Sequence, residues 1–284
     1  MIVAPAEQLN VLGQLALTIS YDGREFHGSQ VQATGRSVQG ELERALGSLG
    51  RGPQRVVFAG RTDSGVHAVG QVASCADHWP DLGPDELVRA INANLEPDAA
   101  VLRIERRLPG FQARFDARWR EYRYRVWSGP AQPLAREWVW RRTGPFDLGA
   151  MVDAAQLLQG EHDFAAFAGG GQGVPSSPRR RQRRGTIRRV RLCSCRALNP
   201  WWGPAIGQLC EVRVVADGFL PRMVRSIVAA LVEVGRGKRP VDSIPLLLAS
   251  RDRRQGCGTA PAHGLILWRV GYGEDEPEPE RCPT

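Results

Sequence analysis

The 284-residue chain is long enough for one large domain or two smaller ones with a substantial core. Its 42% hydrophobic and 24% charged residues exclude disordered, collagenous and coiled-coil chains. No apolar run approaches the roughly 18 residues of a membrane helix, because Met223 to Val234 is broken by Arg225 and Glu233. The net charge of +8 understates the basic body, since residues 274–284 hold five acids and one Arg; a polyanion is the expected partner.

Residues 1–20 contain no Lys or Arg, so neither a secretory signal nor an organellar presequence is expected and the chain should stay in the cytoplasm. The six cysteines then read as free thiols. All basic residues but Lys238 are Arg, a bias that by itself says nothing about function.

Alternation in Leu15, Leu17, Ile19 and Tyr21 predicts a strand with one buried face. Ser37 caps a helix carrying Val38, Leu42, Ala45, Leu46 and Leu49 at helical spacing, stopped by Gly50 and Gly52-Pro53. Strands Arg55 to Ala59 and His67 to Cys75 follow, joined by Gly60-Arg61-Thr62-Asp63-Ser64-Gly65, then a helix near Pro84 to Asn94 and a strand near Ala100 to Glu105. After Pro109 the β-α-β-β-α-β order recurs: strand Arg118 to Trp127, helix Asp147 to Gln159, strands Ile187 to Cys195 and Leu209 to Asp217, helix Pro221 to Val234, a short helix Ser243 to Ser250 and a last strand Gly264 to Val270. The simplest architecture is α+β: two ferredoxin-like halves, 1–108 and 109–273. Gly169 to Pro178 reads as a flexible loop and residues 274–284 as a disordered acidic tail.

Four constellations carry candidate chemistry. The hexapeptide Gly60 to Gly65 places Asp63 at a turn tip between apolar strands. Turn chemistry alone explains an Asp there, but Arg61 two residues earlier favours the ionised carboxylate that a nucleophile or base requires. The segment Phe111 to Arg125 interleaves aromatics with Arg; in an extended strand Arg118, Arg120, Tyr122 and Tyr124 share one face, and Trp119, Glu121, Arg123, Arg125 and Trp127 the other. Such a surface suits unpaired RNA, and equally a core flanked by solvated Arg. From Arg179 to Arg191 eight of thirteen residues are Arg, either a phosphate-binding run or a solvated one. Arg225 interrupts an apolar helix; it either snorkels to water or needs an anionic partner, for which Asp63 is the attractive candidate.

Other chemistries lack their motifs. There is no phosphate-cradling glycine loop of the nucleotide or dinucleotide type. His27, His67, His78, His162 and His263 include no pair at metal-ligand spacing, and Cys193, Cys195 and Cys210 lack a zinc-knuckle gap. Ser64 is not in a Gly-x-Ser-x-Gly elbow.

Tyr21-Asp22-Gly23, Ser37-Val38-Gln39, Ala59 to Ala68, Asn92 to Leu95, Phe111 to Phe115, Tyr122-Arg123-Tyr124, Asp163-Phe164, Met223-Val224-Arg225 and Thr259 to Leu265 together resemble the tRNA pseudouridine synthase A family over most of the chain. The resemblance implies that Asp63 is the catalytic nucleophile, that Tyr122 packs on the target base and that Arg225 pairs with Asp63; Arg61 joins them as a candidate substrate-binding residue. It implies two ferredoxin-like halves merged into one continuous, mainly antiparallel sheet with helices on one side and a central RNA-binding cleft. It further implies a homodimer without cofactor or metal that isomerises uridine at positions 38, 39 and 40 of the tRNA anticodon arm. Two departures stand out. His27-Gly28-Ser29-Gln30 has Ser29 where the family usually has Trp, and the loop after Phe167 is longer and richer in Arg. The competing readings are a non-catalytic tRNA-binding or folding factor with the same basic cleft, and a metal-dependent nuclease, which would need carboxylates clustered around divalent ions.

Overall fold

A computed structural model describes residues 13–169, 185–203 and 206–273. In chain order these residues form β1 (Gln14–Tyr21), α1 (Val38–Gly47), β2 (Val57–Phe58), β3 (His67–Ala76), α2 (Pro84–Asn92), β4 (Ala99–Arg107), β5 (Trp119–Ser128), β6 (Trp140–Arg142), α3 (Leu148–Gln156), β7 (Gly160–Asp163), β8 (Ile187–Leu198), β9 (Gln208–Ala216), α4 (Met223–Gly235), α5 (Ser243–Ser250) and β10 (Leu265–Gly271). The strands make one 10-stranded sheet in the order β4-β1-β3-β10-β5-β9-β8-β7, with β2 on β3 and β6 on β5. Pairing is antiparallel except at β10 with β3 and β5 with β6. This is a mixed α+β protein built on a single, mostly antiparallel open sheet. No helix among the described residues is long and apolar enough to cross a membrane.

Local chemistry places the ends. The Ser37 hydroxyl accepts from the Gly40 amide to start α1, Pro84 opens α2 ahead of Asp85 and Glu86, and Asp147 accepts from Ala150 to start α3, each satisfying or avoiding an orphan helical N–H. Leu15, Leu17, Ile19 and Tyr21 point to one side of β1, where the buried faces of all five helices join them in one core. Ala16, on the other side, packs in a small separate cluster with Ala59, Val72 and Ala113.

The last strand ties early and late segments together. β10 lies between β3 and β5, antiparallel to β5 from Leu265↔Tyr124 onward but parallel to β3 only at Ile266↔His67 and Leu267↔Ala68. At this seam Gly70 is obligatory by space, because a Cβ there would stand 2.2 Å from the Trp268 carbonyl oxygen. The seam therefore holds two backbones in direct contact, close to where the β2-β3 connection presents Asp63.

The segments 170–184 and 274–284 lie outside the described residues, and with them most of the predicted glycine-rich loop, the first five Arg of the basic run and the acidic tail. The remainder of that run, Arg188, Arg189 and Arg191, lies on β8, where Arg188 and Arg189 are in register with His162 and Glu161 of β7.

Candidate active site

β2 is shorter than its apolar pattern predicts because the chain leaves it at Phe58 for a turn held mostly by side chains. The turn closes with the Val66 amide donating to the Asp63 carbonyl at 3.2 Å, and Gly65 takes the left-handed φ of +77° that suits glycine. Thr62, just before Asp63, is gripped from three directions. Its amide donates to Ser29 Oγ at 2.9 Å, its carbonyl accepts from the Ser29 amide at 3.1 Å, and its hydroxyl lies 2.8 Å from the Tyr21 phenol. Gln71 of β3 donates to the Gly60 carbonyl at 2.8 Å, and Arg120 of β5 donates to the Ala59 carbonyl through Nε and Nη2. Gly28, at φ +95°, completes the frame: a Cβ there would be 3.0 Å from the Thr62 carbonyl oxygen. Burial pushes the Tyr21 phenol up to about 12, against the opposing hydrogen bonds to Thr62 and Gln71.

Ser29 is thus a structural partner of the residue preceding Asp63, fully buried at 0% exposure. Ser29→Ala would keep the backbone bond but strand the buried Thr62 amide, a loss of about 1–3 kcal/mol. Denaturant unfolding should show a lower midpoint at unchanged slope; an unchanged midpoint would remove Ser29 from the frame.

Arg225 comes from the first turn of α4, 162 residues away in sequence, and its Nη1 donates to Asp63 Oδ2 at 3.0 Å. Its Nε donates to the Ala260 carbonyl at 2.7 Å, while the Ala260 amide donates back to the Arg225 carbonyl at 3.1 Å. The segment leading into β10 is pinned in turn by Tyr124 Oη donating to the Pro261 carbonyl. The pair is asymmetric: the Arg225 side chain is 16% exposed and that of Asp63 40%. The guanidinium is anchored by the protein, and the carboxylate is offered to solvent. Among the described residues Asp63 Oδ1 has no hydrogen-bond partner.

Asp63 opens onto a pocket of about 620 Å³ lined by residues 27–32 and 61–64 with Arg222 and Arg225. Arg61 stands exposed on its wall; the ion pair recorded for Asp63 is with Arg225, not Arg61. Tyr122 is 7% exposed and is not among the lining residues. Its ring meets Phe219 edge-on at 5.1 Å, and its hydroxyl would lie 3.8 Å from a Cβ at Gly60. Burial, above all, and the neighbouring Tyr21 and Asp63 raise its phenol well above the usual tyrosine range, so it is a protonated donor. That hydroxyl has no hydrogen-bond partner among the described residues.

The predicted interleaving of aromatics and Arg on β5 is present, but most of its cations are already engaged. Arg123 and Arg213 pair with Glu121, Arg125 and Arg196 with Glu211, both carboxylates being buried. Arg123 also lies over the Trp268 ring, and the Arg120 guanidinium donates to the carbonyls of Ala59, Arg114, Ala117 and Asp217. These arginines brace the sheet rather than forming a free phosphate-binding face. Sequence reading missed Ser29, Gln71 and Arg120 as supports of the Asp63 turn, and Arg222 as a pocket residue. Of these, Ser29 alone carried a signal, as a departure from the family's Trp.

Comparison with known proteins decides what this arrangement belongs to. A family model described as tRNA pseudouridine synthase matches residues 154–273. Proteins named tRNA pseudouridine synthase A are similar along nearly the whole chain: one from Solidesulfovibrio magneticus is 43% identical, covering 92% of each chain. The chain belongs to the tRNA pseudouridine synthase A family. The relative from Nitratidesulfovibrio vulgaris is 41% identical, with 92% of this chain and 100% of its own covered, and that from Geobacillus sp. strain WCH70 38%, with 91% and 98% covered. The Asp63 turn precedes the residues matched by the family model, whereas Arg225 lies within them.

Proposed function

We propose that this protein isomerises uridine to pseudouridine in the anticodon arm of tRNA, at positions 38, 39 and 40, with Asp63 as the catalytic group. As a member of its family the chain is a tRNA pseudouridine synthase, an isomerase. The observation that carries the site assignment is the 3.0 Å contact between Asp63 and Arg225 at the pocket wall.

Pseudouridine formation breaks the N1–C1′ bond of uridine and rejoins the same uracil through C5, whose proton is lost to solvent. No electrons leave the substrate and no group is added, so the reaction calls for positioned acid-base and nucleophilic groups. A pocket of 620 Å³ falls within the about 300–1,000 Å³ of small-ligand sites, so it takes one nucleotide rather than a paired stem. The target uridine is therefore everted, at a cost of a few kcal/mol offset by phosphate contacts and stacking. Asp63 then opens the glycosidic linkage by attack at C1′, by attack at C6, or by taking the C2′ proton. Arg225 keeps the carboxylate aimed. Tyr122, whose hydroxyl is protonated and without a hydrogen-bond partner among the described residues, is our candidate for supporting the base and for moving the C5 proton.

The strand order supports reading residues 1–108 and 109–273 as ferredoxin-like halves. β4-β1-β3-β2 in the first and β10-β5-β9-β8 in the second share one pattern, and the groove between them is our candidate RNA cleft. We take the active form as a cytoplasmic homodimer, working without a cofactor.

Position-resolved pseudouridine mapping of unmodified tRNA, before and after treatment with the full-length protein, tests the proposal. New pseudouridine at positions 38 to 40 is expected. Pseudouridine confined to other positions would overturn the anticodon-arm assignment, and tight tRNA binding with none formed would favour a folding factor.

A further inference from the structure

We infer that Arg222 grips a backbone phosphate beside the everted uridine; this rests on the tRNA isomerase reading above. Three observations converge on it. Arg222 lies at the start of α4 in the left-handed region, at φ 59° and ψ 8°, and with Arg251 is one of only two non-glycine residues at positive φ among the described residues. Glycine or asparagine takes this conformation more readily, so the backbone gives no reason for an Arg. Nor does the side chain cap the helix. Strained positions of this kind concentrate at binding and catalytic sites.

Second, the aliphatic stem is laid against a neighbouring backbone. A Cβ on Gly169 would stand 2.6 Å from Arg222 Cδ and 2.7 Å from its Cβ, and the Gly169 amide donates to the Pro221 carbonyl at 2.7 Å. The close approach directs the stem and leaves the exposed guanidinium at the pocket wall.

Third, the pocket's charges do not balance. Arg61, Arg222 and Arg225 face it with a single carboxylate, Asp63, which is already paired with Arg225. The Arg222 side chain has no hydrogen bond or ion pair among the described residues, so the anion it fits arrives with the ligand. In an RNA substrate that anion is a phosphodiester, which a guanidinium holds bidentately.

Arg222→Gly separates this role from a structural one, because it relieves the backbone while removing the cation. Using full-length protein and unmodified tRNA across about 50–200 mM salt, we expect Arg222→Gly to have an unchanged or higher Tm, yet to bind roughly tenfold more weakly. The slope of log K against log salt should become shallower by about 0.7–0.9, the loss of one phosphate contact. The fall in kcat/KM should lie mainly in KM. Arg222→Gln should lose the same slope, and Arg222→Lys should keep most of it; Gln alone gives the reading if the Gly variant does not fold. Wild-type affinity and slope in the Gly or Gln variant would overturn the inference. If the wild-type protein forms pseudouridine in the same assay, that failure concerns Arg222 alone; if it forms none, the isomerase reading itself fails.

Discussion

Arg225→Met should slow pseudouridine formation by about 10²–10³-fold, the usual loss when one preorganised charged donor is removed from an active site. Methionine retains much of the buried stem's volume, so the effect isolates the guanidinium. That group makes two separate contacts, with Asp63 Oδ2 and with the Ala260 carbonyl. Without it the carboxylate loses its only ion-pair partner among the described residues, and the segment leading into β10 loses one tie. Release of tritium from 5-tritiated uridine in tRNA measures the rate. The loss should fall on kcat, since Arg225 is mostly covered and its charge is directed at Asp63. A variant with near wild-type kcat and only weaker tRNA binding would reassign Arg225 to phosphate contact.

Asp63→Asn should have the larger effect, at least about 10⁴-fold in rate, as expected when the group that does the bond-breaking is replaced by one that cannot. The amide is isosteric, and its oxygen still accepts from Arg225. The turn itself is held by Thr62, Ser29, Gly60 and Gln71, none of which depends on the carboxylate. Folding and tRNA affinity, read by thermal unfolding and filter binding, should therefore stay near wild type while isomerisation is lost. A tRNA-folding factor would show the opposite insensitivity, its activity surviving the substitution.

The parts of the fold written in local periodicity were legible in the sequence. The alternation of Leu15 to Tyr21 and the helical spacing after Ser37 became β1 and α1, and the apolar run at Ser243 to Ser250 became α5. Short elements without an apolar pattern were not: β6 and β7 have 3 and 4 residues and no fully buried side chain, so only their neighbours specify them. Asp63 and Arg225 could be matched from sequence because a cation in an apolar helix calls for an anionic partner and the family resemblance singles out the carboxylate of a turn that would otherwise be commonplace. The opposite happened on β5. Periodicity separates the two faces of a strand but cannot tell a solvated Arg from one paired to a buried Glu on the next strand, and Glu211 is distant in sequence from Arg125. The supports of the Asp63 turn were hidden for the same reason, since Ser29, Gln71 and Arg120 meet it only after the sheet has formed.

The most direct test of the Asp63 assignment is a single-turnover assay, with wild-type and Asp63→Asn protein each in excess over unmodified tRNA and pseudouridine counted after RNA hydrolysis. Full conversion of the target uridines by the wild type is predicted, with none by the variant although it binds the tRNA equally well. Comparable pseudouridine from the Asn variant would contradict the assignment.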